Sequence, residues 1–287
     1  MITSAFQYHR PADIASALAL LQTHGDEARV IAGGHSLIPM MKLRMAELDH
    51  LIDLQDIAEM RGVENGDGAV TLGAMVTQSE LIDNADLASA IPILREAALQ
   101  IADPQVRYVG TIGGNVANGD PGNDMPGLMQ CLNATFQLQG PDGARSVAAR
   151  NFYEAAYFTA RSDEEILTSI RIPVPAAGTG HAYEKQKRKI GDYATAAAAV
   201  LVRIQSGQVA EAAIAMTNLS DTPVYSAAAG AALEGTSGDS AARAAAVAAA
   251  LADTDPSEDM RGPVEFKKHV AGVILRRAID RAIERAA

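Results

Sequence analysis

Apolar residues recur at helical spacing in Ile14, Leu18 and Leu21, with alanines between them, after Pro11 and before Gly25-Asp26; this predicts a helix closed by a breaker. Arg29 to Ala32 predicts a short strand running into Gly33-Gly34-His35-Ser36. A short helix over Pro39 to Met45 follows, proline sitting where its missing N–H is harmless, and Leu51 to Leu54 predicts a second strand.

The next stretch predicts a hairpin of Arg61-Gly62-Val63 with Ala69 to Leu72 about an Asn65-Gly66-Asp67-Gly68 turn. Thr77-Gln78-Ser79-Glu80 is a capping box that opens a helix, and another helix follows Pro92. Asp103 to Pro126, dense in Gly, Asn, Asp and Pro, predicts a long functional loop. A helix through Leu128 to Leu132, strands about Pro141-Asp142-Gly143 and a strand over Ile166 to Ile172 complete this region.

Pro173 to Gly180 carries two prolines and two glycines and predicts a linker. Beyond it, Thr195 to Ile204 and Val209 to Thr217 flank Ser206-Gly207 and predict a hairpin, with helix the alternative that the alanine tract leaves open. Ala227 to Ala252 is mostly alanine and predicts helix broken near Gly235 to Gly238. A last helix over Pro263 to Arg285 places Val270, Ile274 and Ala278 on one face.

Composition narrows the function. A chain of 287 residues, 48% hydrophobic and 21% charged, has what a packed core requires. Its net charge of -11 opposes a nucleic-acid surface as partner, because phosphate neutralisation needs positive patches. The longest apolar stretches, such as Ala194 to Val202, are about half the ~20 residues of a membrane span. With no basic and apolar leader at the N-terminus, a cytoplasmic location is the expectation. Cys131 is the single cysteine, so an internal disulfide, a four-Cys zinc site and an iron–sulfur cluster are all excluded from this chain. The six histidines form no His-x-x-x-His or Glu-x-x-His pair, and no metal is assigned.

Two segments carry the chemistry. Ala32-Gly33-Gly34-His35-Ser36 ends a strand and enters a helix, and Thr111-Ile112-Gly113-Gly114-Asn115 repeats that chemistry inside the long loop. Glycines let backbone N–H groups approach an anionic oxygen, and two such loops suit a diphosphate. Neither matches the ordinary dinucleotide or P-loop fingerprint. His35 is open to three roles, general base, pyrophosphate donor or a loop residue satisfying backbone, and the donor role is favoured because no nucleophile or paired carboxylate accompanies it. Asp120 and Asp124 read as Asx-turn caps, with Asp124 the better placed carboxylate for a ribose diol. Lys185 to Lys189 holds four cations in five residues, a solvated strand end or a contact for a ligand or partner.

The two glycine segments resemble the pyrophosphate-binding motifs of the flavin-binding subunits of molybdenum hydroxylases, the group that includes xanthine dehydrogenase. Ala32 to Lys42, Ile101 to Met129 and Tyr183 to Ala199 are most similar to the carbon monoxide-oxidising branch of that group. The resemblance implies an α+β fold. A vanillyl-alcohol-oxidase-type FAD-binding domain would comprise two α/β subdomains, residues 1–56 and 57–176. A C-terminal domain, residues 177–287, would hold a three-stranded antiparallel sheet and helices. It further implies that Ala32, Gly33, Gly34, His35, Ser36 and Leu37, with Gly110, Thr111, Gly113, Gly114 and Asn115, hold the pyrophosphate side of FAD. Asn118 and Asp124 would face the ribityl-ADP part. Ile101, Ala102, Leu167 and Lys185 would line the rest, and Tyr193 would screen one face of the flavin ring.

The same resemblance implies non-covalent FAD, no catalytic side chain and no metal. The chain would pass electrons from the iron–sulfur clusters of a small subunit to a quinone-type acceptor, with the substrate oxidised on a large molybdenum subunit. That substrate would be carbon monoxide or, in related enzymes, an aldehyde, aromatic or purine compound. The assembly would be a dimer of heterotrimers, with peripheral membrane association and no nucleic acid, and the lone chain would not oxidise carbon monoxide. An autonomous flavin oxidoreductase and a nucleotide-binding regulatory module are the competing readings.

Overall fold

The computed structural model describes residues 2–286 and builds three main sheets in chain order. The first takes β1 (Gln7–His9), β2 (Ala28–Ile31) and β3 (His50–Asp53) in the order β1-β3-β2, all parallel. Parallel neighbours need crossovers, supplied by α1 (Ile14–His24) and α2 (Leu37–Lys42). Asp13 caps α1, its carboxylate accepting from Ser16 N at 2.7 Å, and Gly25 ends it at φ 50°. Of the predicted face Leu18 and Leu21 are buried, with Ala17 beside them, while Ile14 is half-buried. Each leucine there stabilises the unit by about 1.5–3 kcal/mol. Strand β1 escaped sequence reading because Gln7-Tyr8-His9 is a half-wet edge with no apolar alternation.

The second sheet is antiparallel throughout, in the order β4-β5-β10-β6-β7. Its strands are β4 (Val63–Gly66), β5 (Ala69–Gly73), β6 (Thr135–Gly140), β7 (Gly143–Ala148) and β10 (Ile166–Pro173), with β8 (Tyr153–Ala155) and β9 (Phe158–Thr159) a small separate hairpin. The first hairpin is tighter than expected. Asn65 and Gly66 remain in strand, and Asp67 and Gly68 alone turn, at φ 50° and 67°.

Six helices lie between β5 and β6: α3 (Gln78–Asp83), α4 (Ala85–Ala90), α5 (Pro92–Ala98), α6 (Pro104–Val109), α7 (Ile112–Ala117) and α8 (Asp124–Cys131). The capping box on α3 forms as read, Thr77 and Glu80 bonding reciprocally. The long loop expected from Asp103 to Pro126 is instead largely helical. Asp103 caps α6 through Val106 N at 3.0 Å with Pro104 behind it, and Thr111 caps α7 through Gly114 N at 3.0 Å. Those cap signals outweigh the Gly and Asn content that argued for a loop. Helix α8 also begins earlier than predicted, at Asp124.

The third sheet joins β11 (Thr179–Gln186), β12 (Ala196–Gln205) and β13 (Gln208–Thr217), antiparallel, with the two-residue β14 (Val224–Tyr225) as a fourth strand. Helices α9 (Ala227–Leu233), α10 (Ser240–Ala252) and α11 (Val264–Ala286) follow. The alanine tract of β12 is therefore strand. Ala196, Ala198, Val200 and Val202 pack with the C-terminal helices, whereas Ala197 and Ala199 join the larger core of the preceding residues. A strand buried on both faces reads as a continuous apolar run, which is why its period was ambiguous. Cys131 closes this joint from α8, its Sγ 3.4 Å from the Ala199 and Ala213 carbonyls.

Candidate cofactor site

The ends of β2 and the starts of α7 and α8 open onto one cleft of about 810 Å³. Every cofactor-site residue expected from the sequence, from Ala32 to Leu37 through the Gly110–Asn115 segment to Lys185 and Tyr193, lines it.

The two glycine segments lean on each other. A Cβ on Gly33 would overlap the Val109 carbonyl and stand 2.7 Å from Gly110 Cα, so only glycine lets the loops close. Gly34 takes φ 73°, the left-handed region that favours glycine. Gly113 and Gly114 lie within α7, so close packing, not backbone conformation, is what requires them: a Cβ on Gly113 would collide with Ala74. Asn115 ties α7 to α8, its carbonyl accepting from Asn123 Nδ2 at 2.9 Å and its Oδ1 from Met125 N at 3.3 Å. Asn118 caps the C-terminus of α7.

His35 Nδ1 lies 2.9 Å from the Gly33 carbonyl. A carbonyl only accepts, so Nδ1 carries a proton, and a neutral ring then offers Nε2 as an acceptor. Donation from Nε2 to an anion takes the doubly protonated ring.

Asp120 forms the expected Asx turn, accepting from Gly122 N at 2.9 Å. Asp124 is buried and doubly engaged: Tyr183 Oη donates to Oδ1 at 2.5 Å and Lys185 Nζ to Oδ2 at 2.7 Å. Only the second lone pair of each oxygen is left for a ligand hydroxyl. Burial and the Asp124 charge push the Tyr183 phenol well above its usual range, which keeps it a donor. Lys185 is therefore no solvated strand end but a member of the cleft wall, as the resemblance implied, with its side chain 1% exposed.

Ile101 and Ala102 form a strained bend, Ala102 at φ 43°, whose Ile101 carbonyl accepts from Arg107 at 2.9 Å. Leu167 stands at a bulge in β10, where re-aimed side chains are common. Tyr193 is 41% exposed, faces Gly122, and has the Arg261 guanidinium 5.6 Å from its ring centroid. Burial and Asp120 push its phenol up to about 12.

The structure adds residues that sequence reading missed. Gln78 lines the cleft, is 2% exposed, and has both amide atoms without a hydrogen-bond partner among the described residues. A buried amide in that state costs roughly 1–3 kcal/mol unless something pairs with it. It sits in the capping box, where only its neighbours carried a readable signal. Arg29 and Arg161 bring two guanidinium groups to the cleft wall, and Leu54, Met60 and Met75 give it apolar surface. A polar cradle beside an apolar wall, with an orphaned buried amide, fits an amphipathic cofactor of the size of FAD.

Three of the six histidines, dispersed along the chain, are neighbours in space. His9, His24 and His50 converge outside the cleft.

Comparison with known proteins agrees with this geometry. Residues 4–175 match the family described as the FAD binding domain in molybdopterin dehydrogenase, and residues 181–282 match the CO dehydrogenase flavoprotein C-terminal domain. The chain is 56% identical to the carbon monoxide dehydrogenase medium chain of Afipia carboxidovorans, covering 100% of this chain and 99% of that one. It is 44% identical to the corresponding chain of Hydrogenophaga pseudoflava, over 100% of both. The structure of reconstituted CO dehydrogenase from Oligotropha carboxidovorans superposes with a TM-score of 0.98 at 56% identity, covering 99% of this chain and 100% of that one.

Proposed function

Because the chain belongs to the family of FAD-binding domains in molybdopterin dehydrogenases, we propose that it is the FAD-carrying subunit of a molybdenum-containing carbon monoxide dehydrogenase. It takes electrons from iron–sulfur clusters on a partner subunit and delivers them to a quinone-type acceptor. The observation that carries this reading is the convergence of both glycine loops and the buried Gln78 amide on one cleft, in a chain that matches carbon monoxide dehydrogenase medium chains from end to end.

FAD, when bound, supplies reversible electron uptake that no side chain offers. The residues around it position and insulate. Gly33, Gly34, Gly113 and Gly114, with Ser36, Thr111 and Asn115, bring polar groups to the pyrophosphate. Ile101, Ala102 and Leu167 exclude water, Lys185 holds a positive charge in the wall against Asp124, and Tyr193 covers one face of the ring. No protein nucleophile takes part.

The same reading divides the chain into units at 1–56, 57–176 and 177–287, supported by the confinement of each main sheet to one stretch. It calls for a large molybdenum subunit and a small iron–sulfur subunit in a dimer of heterotrimers, in the cytoplasm, with peripheral attachment to the membrane that holds the quinone. No described helix is long and apolar enough to cross a membrane. With Lys185 buried, Lys187 donating to the Gln100 carbonyl at 3.1 Å and Arg188 paired to Asp192, Lys189 is the cation of the run left, among the described residues, to meet a partner, beside the exposed Ile190.

Reconstitution tests this. The FAD-loaded chain with carbon monoxide and a dye or quinone should give no turnover, and adding the molybdenum and iron–sulfur subunits should give it. Turnover by the lone chain would overturn the assignment. A complex that oxidises an aldehyde, an aromatic or a purine and leaves carbon monoxide untouched would move it to a related hydroxylase.

A further inference from the structure

Three ligand-bearing side chains that the cofactor reading does not use meet at one edge of the first sheet. His9 is the last residue of β1, His24 the last of α1 and His50 the first of β3, so three separate elements deliver one imidazole each. One ring nitrogen from each lies within 4.8 Å of the other two, and His9 Nε2 stands 3.0 Å from His50 Nδ1. The His24 and His50 rings are stacked, centroids 3.5 Å apart and planes at 15°. Among the described residues the His24 ring makes no hydrogen bond to protein. His50 is buried and the other two are half-buried.

We propose that His9, His24 and His50 form a binding site for one borderline divalent transition-metal ion of the zinc(II) type. Imidazole nitrogen is the donor that suits such ions, whereas magnesium and calcium demand oxygen ligands that this cluster lacks. Tetrahedral coordination with metal–nitrogen bonds of about 2.0–2.1 Å sets the ligand nitrogens roughly 3.3–3.4 Å apart. The 3.0 Å His9–His50 separation and the 4.8 Å within which all three nitrogens lie bracket that spacing, and binding requires the stacked His24 and His50 rings to turn so that their in-plane lone pairs meet at one point.

The backbone is already fixed for it. Gln7 N donates to the Asp49 carbonyl at 2.7 Å, and Asp49 N to the Glu27 carbonyl at 3.0 Å, which ties the segments that carry the three histidines to one another. That preorganisation lowers the ordering cost of binding. The same segments bring Glu27 near the cluster, where it acts electrostatically on His24. Its negative charge offsets part of that of the cation, and a fourth position remains for water. The ion pins the end of α1 to the ends of β1 and β3 without touching the flavin cleft.

The test uses the FAD-loaded chain prepared without a polyhistidine tag. Titration with zinc(II) should show one equivalent bound and a rise in melting temperature, and cobalt(II) should give visible bands of a low-symmetry nitrogen site. His24→Ala and His9→Asn should each weaken zinc affinity at least roughly tenfold, the loss that even an outer-shell change brings about. Flavin occupancy and circular dichroism should stay at wild-type levels. If either variant fails to fold, the histidine ring-nitrogen chemical shifts of the wild-type chain decide: zinc should move those of His9, His24 and His50 together. Absence of stoichiometric binding, equal binding by both folded variants, or shifts confined to other histidines would overturn the proposal.

Discussion

Lys185 Nζ and Asp124 Oδ2 face each other at 2.7 Å in the cleft wall, with side chains 1% and 6% exposed. Breaking such a pair from one side leaves a charge stranded away from water. Asp124→Asn should therefore cost about 3–5 kcal/mol in urea unfolding. The double change Asp124→Asn with Lys185→Met should return a large share of that stability while flavin retention stays poor. Equal loss in single and double variants would show that Asp124 matters for packing alone.

Gly33 allows the two glycine segments to touch, since its missing Cβ would overlap the Val109 carbonyl. Gly33→Ala should destabilise the chain by about 1–3 kcal/mol through overpacking, and purified protein should carry less flavin. Gly114→Val should also lower occupancy, because a side chain there meets Thr111 Oγ1 at 2.9 Å and disturbs the cap of α7. Absorbance ratios of protein to flavin measure both. Full occupancy in either variant would remove that glycine from the site.

Tyr193 carries a phenol pushed up to about 12 by burial and by Asp120. A folded-state value raised above the ordinary 10.0 contributes stability that is present below pH 10 and is lost as pH rises toward 12. Tyr193→Phe should flatten that alkaline decline. Tyr193→Ala should in addition shift the flavin absorption envelope, since ring stacking is worth roughly 0.5–1.5 kcal/mol. An unchanged spectrum with a lowered melting point would reduce Tyr193 to packing.

Cys131 is buried, and desolvation pushes its thiol up to about 12. Thiolate is the reactive form, so the native chain should resist an aromatic disulfide reagent at neutral pH and react fully once unfolded in urea. By the same sign rule, the thiol's contribution to stability is intact below its ordinary 9.0 and fades as pH climbs above it. Fast labelling of native protein would show that the joint between α8 and the third sheet opens.

Much of the cleft was legible because its polar parts are local. Gly33-Gly34 and Gly113-Gly114 each announce a close approach within five residues of chain, and the Thr77 capping box states where its helix begins. What was hidden is what depends on distance. Gln78 is an ordinary helix residue until the fold buries it in the cleft wall, and Lys185, which only the family resemblance set in the site, stands in a cationic run until Asp124, 61 residues earlier, draws it inside. The caps at Asp103 and Thr111 were readable, and the Gly and Asn content around them obscured the helices they start. Likewise His9, His24 and His50 show no ligand spacing in sequence because three different elements carry them.

Strand β12 belongs to two interiors at once, with Ala197 and Ala199 turned toward one and Ala196, Ala198 and Val200 toward the other. Neither side can melt without stripping an apolar face from the other, so the chain should denature in a single cooperative step. The amides of β12 should be among the slowest to exchange with solvent. A fragment ending before β11 would expose the sheet-facing side of α8 and is expected to aggregate, which makes the C-terminal third a partner in folding the flavin cleft as well as a wall of it.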